Sequence, residues 1–116
     1  MVDDADINIW STEIRRGVIE LSIMALLDKK EMYGYEIAKK LKALTSEILA
    51  VEEGTLYPLL RRLEKKGWVE VEWIIADGRP RKYYKLTKRG KIALEKMKFH
   101  WRLLVSEVNK VLEGDL

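Results

Sequence analysis

Cysteine is absent from the sequence, and histidine occurs once, at His100. These absences exclude disulfide frameworks, thiol catalysis and the common zinc sites, which need several thiolate or imidazole ligands. No apolar run approaches the length of a membrane-spanning helix, and the acidic segment Met1–Trp10 does not resemble a secretory signal. We therefore expect a cytoplasmic protein that carries no metal and no other cofactor.

The charged residues are abundant and nearly balanced, with 22 basic and 19 acidic side chains among 116 residues. A hydrophobic content of 47% is enough for one domain with its own core. Candidate catalytic groups such as Ser22, Ser46 and Ser106 have no acid or base partner at a suggestive spacing. The sequence also lacks a glycine-rich phosphate loop. These observations predict that the protein is not an enzyme.

Helical periodicity first becomes visible after residue 10. Ser11 or Thr12 is expected to cap a helix that runs to about Asp28, and residues 1–10 are expected to form a partly flexible lead-in. Apolar side chains surround most of the second half of this helix. That pattern indicates that other elements cover the helix on most sides.

Two shorter amphipathic helices follow. One begins near Gly34 and extends to Leu44, and the next covers Thr55–Lys66 and ends at Gly67, a residue type that often ends helices. The apolar stripe of the later helix consists of Leu56, Leu59, Leu60 and Leu63. Two helices joined by a short connection are typical of a helix-turn-helix unit.

From Trp68 the hydrophobic period changes from helical to alternating, which predicts a β-hairpin. Turn-forming residues occupy Asp77–Pro80, and Lys82–Leu86 forms the returning strand. Thr87 is expected to cap a last helix that extends to about Leu112.

This order of elements predicts an α+β, mainly α, fold. A winged helix-turn-helix domain is expected over residues 11–87, followed by a C-terminal dimerisation helix over residues 88–116. The second helix of such a unit enters the major groove of duplex DNA, whose phosphates attract basic side chains. The candidate contacts are Thr55 and Tyr57 for bases, Arg61, Arg62 and Lys65 for phosphates, and Arg79, Arg81 and Lys82 in the hairpin.

Each basic feature also has a simpler interpretation. A basic turn is common on protein surfaces, and the basic residues of the helix could form an ordinary solvated face. A winged helix could also bind an acidic protein partner, or bind DNA without sequence preference as an architectural protein. The combination of these features in this order favours sequence-specific binding of double-stranded DNA.

Four blocks between residues 33 and 87 carry a recognisable pattern. They are Tyr33–Ile37 (YGYEI), Gly54–Gly67 (GTLYPLLRRLEKKG), Gly78–Tyr84 (GRPRKYY) and Leu86–Thr87 (LT). These blocks resemble the PadR-like family of transcriptional regulators. The resemblance implies a homodimeric winged-helix repressor of a nearby operon, released from its operator by a small molecule, commonly an aromatic one.

The resemblance also implies roles for individual residues. Thr55, Tyr57 and Arg61 would belong to the recognition helix. Arg79, Arg81 and Lys82 would belong to the wing. Tyr35, at the start of the supporting helix, would contact backbone phosphates through its hydroxyl group, although aromatic rings at a helix junction are more often part of the core.

The last helix carries an apolar seam in alternating steps of three and four residues. Its members are Leu94, Met97, Trp101, Leu104, Val108 and Val111. A narrow seam on a terminal helix predicts a homodimer, and a twofold dimer matches a pseudo-palindromic operator. The alternative is that this helix packs on the first helix of its own chain.

Trp101 lies in the middle of this seam. Two such rings across a twofold axis could line a slot for a planar aromatic effector. Alternatively, Trp101 is simply part of the interface core. The sequence therefore gives Trp101 as the candidate effector-binding residue.

Overall fold

The computed structural model describes residues 2–115 and contains, over that range, four helices and one three-stranded sheet. The elements are α1 (Asp4–Lys29), β1 (Met32–Tyr33), α2 (Gly34–Leu44), α3 (Glu53–Lys65), β2 (Val69–Ala76), β3 (Arg79–Leu86) and α4 (Lys88–Glu113). The strand order is β1-β3-β2, and both pairs are antiparallel. The predicted fold class, mainly α with a β wing, is confirmed.

The first helix begins at Asp4, about two turns before the predicted start. Asp3 is the N-cap, and its side chain accepts a hydrogen bond of 3.0 Å from the Asp6 amide. Thr12, one of the two expected caps, lies inside the helix and donates to the Asn8 carbonyl oxygen at 2.7 Å. The predicted start was wrong because it followed the apolar pattern, whereas an aspartate cap and an acidic first turn start the helix earlier.

The core lies between the C-terminal half of α1, helices α2 and α3, and one face of the sheet. Its apolar members are Ile19, Ile23, Met24, Leu26, Leu27, Met32, Ile37, Leu41, Leu56, Leu59, Leu60, Leu63, Val69, Tyr84, Leu86 and Leu94. Among the described residues, α4 contributes only Leu94 to this buried set. The N-terminal half of α1 and the C-terminal half of α4 therefore extend beyond the core.

The start of α4 is fixed tightly to the base of the hairpin. Thr87, the predicted cap, accepts a hydrogen bond of 3.0 Å from the Gly90 amide and donates one of 2.6 Å to the Gly67 carbonyl oxygen. The Thr87 amide donates to the Trp68 carbonyl oxygen at 3.0 Å. A Cβ atom at Gly90 would lie 2.0 Å from that same oxygen, so this crossing requires glycine.

The hairpin β2–β3, which we call the wing, is longer than predicted. Its turn consists of Asp77 and Gly78, which both have positive φ angles, 53° and 74°. Positive φ at both central residues is typical of a tight two-residue hairpin turn. The predicted four-residue turn was wrong, because Arg79 and Pro80 already belong to β3. Strand β1 was not predicted, because its two residues are too few to show a pattern.

Candidate nucleic-acid interface

Helix α3 is oriented by its apolar stripe. Leu56, Leu59, Leu60 and Leu63 are buried against the rest of the domain. Thr55 and Arg61, which the sequence assigned to DNA contact, are consequently on the exposed side of the helix. The exposed N-terminal turn also adds its partial positive charge, which favours phosphate groups nearby.

Tyr57 is held against the scaffold. A Cβ atom at Gly34 would lie 2.6 Å from the Tyr57 hydroxyl oxygen, so the phenol ring lies across the start of α2. Burial raises the pKa of Tyr57 above its ordinary value, with smaller contributions from Glu53 and Tyr84. The hydroxyl group therefore faces α2. Tyr57 thus has a packing role that holds α3 in position, besides the base contact that the sequence predicts.

Arg62 has a partner that the sequence analysis missed. Its Nη1 atom lies 2.7 Å from Oε1 of Glu20, a residue of α1 that is almost fully buried. The sequence had grouped Arg62 with the candidate phosphate contacts. Because its guanidinium group binds Glu20, Arg62 instead joins the recognition helix to α1.

An aromatic cluster connects the start of α2 to the wing. The rings of Tyr33 and Tyr35 are stacked with centroids 6.3 Å apart, and Tyr83 meets Tyr33 edge-on at 5.4 Å. The guanidinium carbon of Arg81 lies 4.7 Å from the centre of the Tyr33 ring, a cation–π distance. This cluster holds Arg81 in place and leaves Tyr35 exposed beside it.

The three wing cations do not form a single cluster at the turn. Arg79, Arg81 and Lys82 all lie within β3, and alternate residues of a strand point to opposite faces. Arg79 and Arg81 therefore share the face of Tyr83. Lys82 projects from the other face, where its ammonium nitrogen lies 5.4 Å from the centre of the Tyr84 ring.

Further cations line a concavity between α2 and the segment that precedes α3. This concavity has a volume of about 710 Å³ and includes Tyr35, Lys39 and Lys42 on the α2 side. The opposite side carries the carboxylates Glu52 and Glu53. The two lysines were not predicted as site residues, because cations on the polar face of an amphipathic helix resemble an ordinary solvated surface.

The predicted seam of α4 divides into two parts. Leu94 is 1% exposed and belongs to the core of its own chain, so it is not available to a second copy. Met97 is half-buried against that core. The remaining members, Trp101, Leu104, Val108 and Val111, are exposed.

A largely apolar cleft of about 360 Å³ lies between α1 and α4. Its lining residues are Ile14, Gly17, Val18, Leu21, Met97, His100, Trp101 and Leu104. The middle of α4 thus lies against α1 of the same chain, which was the alternative to a pure dimer seam. Beyond Trp101, the apolar side chains of α4 remain exposed.

A family model described as the transcriptional regulator PadR-like family matches residues 23–96, which include the helix-turn-helix unit, the wing and the start of α4. The chain belongs to the PadR-like family of transcriptional regulators. A PadR-like protein is a transcriptional regulator and not an enzyme. None of the helices within residues 2–115 is long and apolar enough to cross a membrane.

Individual relatives agree with this family assignment. The crystal structure of a PadR family regulator from Eggerthella lenta has 34% sequence identity and a TM-score of 0.80, covering 97% of this chain and 96% of that one. A PadR-like regulator from Bacillus cereus has 35% identity and a TM-score of 0.77, covering 89% and 99%. The transcriptional regulator Rv3488 from Mycobacterium tuberculosis is 34% identical over 82 residues, or 71% of this PadR-like chain and 74% of the relative.

Proposed function

We propose that this PadR-like regulator is a homodimeric repressor that binds a pseudo-palindromic operator in double-stranded DNA. The observation that carries the proposal is that one chain presents both the exposed N-terminal part of α3 and a basic wing, and that the aromatic cluster of Tyr33, Tyr35 and Tyr83 fixes the wing to the start of α2. A rigid connection of this kind lets one chain contact the major groove and the adjacent backbone in a fixed register.

The proposed contacts differ in what they recognise. Thr55 and the exposed edge of Tyr57 face the bases, and Arg61 and Tyr35 contact phosphates. Arg79, Arg81 and Lys82 add backbone contacts from the wing. The exposure of Thr55, Tyr35, Arg61 and Arg79 supports these roles, and the cation–π contact of Arg81 supports a preset orientation of its side chain.

Dimerisation is proposed to occur through the exposed part of the α4 seam. Trp101, Leu104, Val108 and Val111 would lose contact with water when they pack against the same residues of a second copy. A twofold dimer of this kind would place two α3 helices about one turn of DNA apart.

The effector is proposed to be a small planar aromatic compound that contacts Trp101. The cleft between α1 and α4 supports this proposal, because its volume of about 360 Å³ lies within the usual range for small-molecule sites. Quenching of Trp101 fluorescence by planar aromatic compounds would test it, with Trp101→Phe as the control. Equal quenching in the wild type and the variant would contradict a site at Trp101.

The experiment that tests the proposed function is selection of bound fragments from genomic DNA, followed by affinity measurements on the selected duplex over a range of salt concentrations. Phosphate contacts release counterions, so the logarithm of the affinity should fall steeply and linearly with the logarithm of the salt concentration. Salt-dependent binding to every duplex with no enriched fragment would indicate an architectural protein without sequence preference. Absence of binding to any duplex would favour the other candidate, a winged helix that binds an acidic protein. A transcription assay with and without the protein then separates repression from activation.

A further inference from the structure

Two large apolar side chains of the wing are exposed to solvent. Trp73 is 67% exposed and Ile75 is 77% exposed, although both lie within a paired strand. Solvation of an indole ring and a neighbouring branched chain is unfavourable. Adjacent exposed apolar residues of this kind therefore indicate a contact surface.

The strand register shows which face of the wing carries them. Trp73 is paired with Lys82, and Ile75 is paired with Pro80. Because directly paired residues of neighbouring strands lie on the same face, Trp73, Ile75 and Pro80 form one continuous surface, which we call the wing strip. Lys82 lies beside it.

The wing strip is on the side of the sheet that packs against α3. The same face continues into Val71 and its partner Tyr84, and then into the buried core. Helix α3 packs against β2, and the buried Tyr84 belongs to the same core as the leucine stripe of α3. The strip is therefore the outward continuation of the surface on which the recognition helix lies.

The charges of the wing differ between its two faces. The carboxylates of β2 belong to Glu70 and Glu72, which lie on the opposite face and approach the ammonium group of Lys85 at 3.6 and 3.9 Å. The strip face has no carboxylate in β2 or β3 and carries the cation of Lys82. An apolar strip with one cation and no anion is suited to a polyanion that also offers apolar surface.

We propose that the wing strip contacts the sugar edges of duplex DNA in the groove next to the one that α3 enters. Deoxyribose rings provide the apolar surface, and the phosphates on either side of them meet Lys82. The inference rests on the proposed function, and it assigns to the wing an apolar contribution to binding beyond the charge of its arginines. Proteins that bind the minor groove do use apolar side chains, which they insert between base steps, so apolar residues can contribute to the binding of duplex DNA.

An apolar contact has a signature that a phosphate contact does not share. Removing a phosphate contact reduces the salt dependence of binding, because fewer counterions are released. Removing an apolar contact lowers the affinity at every salt concentration by the same factor. For the double variant Trp73→Ser/Ile75→Ser, that factor should be about tenfold.

The test measures anisotropy of a fluorescein-labelled, random-sequence duplex with the full chain over a series of salt concentrations. Trp73→Phe keeps an apolar ring and should bind within about twofold of the wild type. Ile92→Ser, an exposed apolar residue on α4, is the matched control. Thermal unfolding of each variant should match the wild type, because the strip is outside the core.

Tryptophan emission provides an independent readout. Saturating the wild type with duplex should change its emission, and the change should be absent in Trp73→Phe, which keeps Trp10, Trp68 and Trp101. An unchanged affinity of the double variant, or a loss accompanied by a weaker salt dependence, would overturn the inference. A smaller assembly mass of the variant would also overturn it, because the strip would then bind a second copy. If the wild type binds no duplex at all, the proposed function itself fails.

Discussion

Replacing Arg62 by methionine removes the cation that faces Glu20 between α1 and α3. The Glu20 side chain is 11% exposed, whereas that of Arg62 is 49% exposed. Loss of the arginine therefore leaves a buried carboxylate without a partner, which is the costly way to break an ion pair. Replacing Glu20 by glutamine leaves an arginine that water can still reach. The two single variants should differ in stability although both remove the same ion pair, whose Nη1 and Oε1 atoms lie 2.7 Å apart.

The expected magnitudes follow from this asymmetry. Removing one partner of a fully buried ion pair lowers the free energy of unfolding by about 3–5 kcal/mol. Because Arg62 is half-exposed, the expected loss for Arg62→Met is about 2 kcal/mol. The free energy of unfolding of Glu20→Gln should fall by about 1 kcal/mol, because the amide oxygen of glutamine still accepts the hydrogen bond from Arg62 but without the charge of the carboxylate. In a domain of this size the two losses correspond to about 8 and 4 °C in melting temperature.

Thermal unfolding at neutral pH, followed by circular dichroism, measures these differences. The double variant Glu20→Gln/Arg62→Met should be more stable than Arg62→Met alone, because it buries no unpaired charge. Glu95→Gln is the control, since its exposed pair with Lys98 at 3.2 Å should contribute less than about 0.5 kcal/mol. Equal losses for both single variants, or a double variant no more stable than Arg62→Met, would refute the reasoning.

Four further predictions test other parts of the structure. In urea unfolding, Gly90→Ala should lower the free energy of unfolding by about 3 kcal/mol, because the added Cβ meets the Trp68 carbonyl oxygen. Gly17 has open space around it, so Gly17→Ala should raise the free energy of unfolding by about 0.7 kcal/mol. Equal effects of the two variants would contradict the close crossing at Gly90. Because the pKa of Tyr57 is raised, its hydroxyl group loses the proton at a higher pH in the folded state than in the unfolded chain. Its contribution to the free energy of unfolding is therefore complete below the ordinary pKa of 10.0 and is lost as the pH rises through the folded pKa. Tyr57→Phe should therefore flatten the alkaline decline of the urea midpoint, and parallel declines would argue against it. Arg79→Ala should weaken binding to every duplex and lower the salt slope by about one; an unchanged slope would exclude a phosphate contact. Sedimentation should give twice the 13.6 kDa chain mass. A mass equal to that of one chain would contradict dimerisation through the α4 seam.

The fold could be predicted from the sequence where a local pattern determined it. The stripe of α3, the Thr87 cap and the alternation after Trp68 each depend on neighbouring residues, and the structure has all three. The start of α1 was not predictable from periodicity, because its first two turns carry few buried residues. Its signal was the Asp3 cap.

The candidate site was less predictable, because its geometry depends on residues that are distant in the sequence. Arg62 and Glu20 are separated by 42 positions, and nothing local distinguishes Arg62 from Arg61. Likewise, only the strand register shows that Arg81 and Lys82 lie on opposite faces. Composition identified the basic residues, but tertiary packing determines which of them remain free to bind DNA.

In the proposed complex, α3 and the wing of two chains bind one operator. Hydroxyl-radical footprinting on a duplex selected from genomic DNA tests it most directly. We predict two protected regions, centred about one helical turn of DNA apart and related by a twofold axis, and weaker protection at their flanks with Arg79→Ala. A single protected region, or protection that is equally strong on any duplex, would contradict the account.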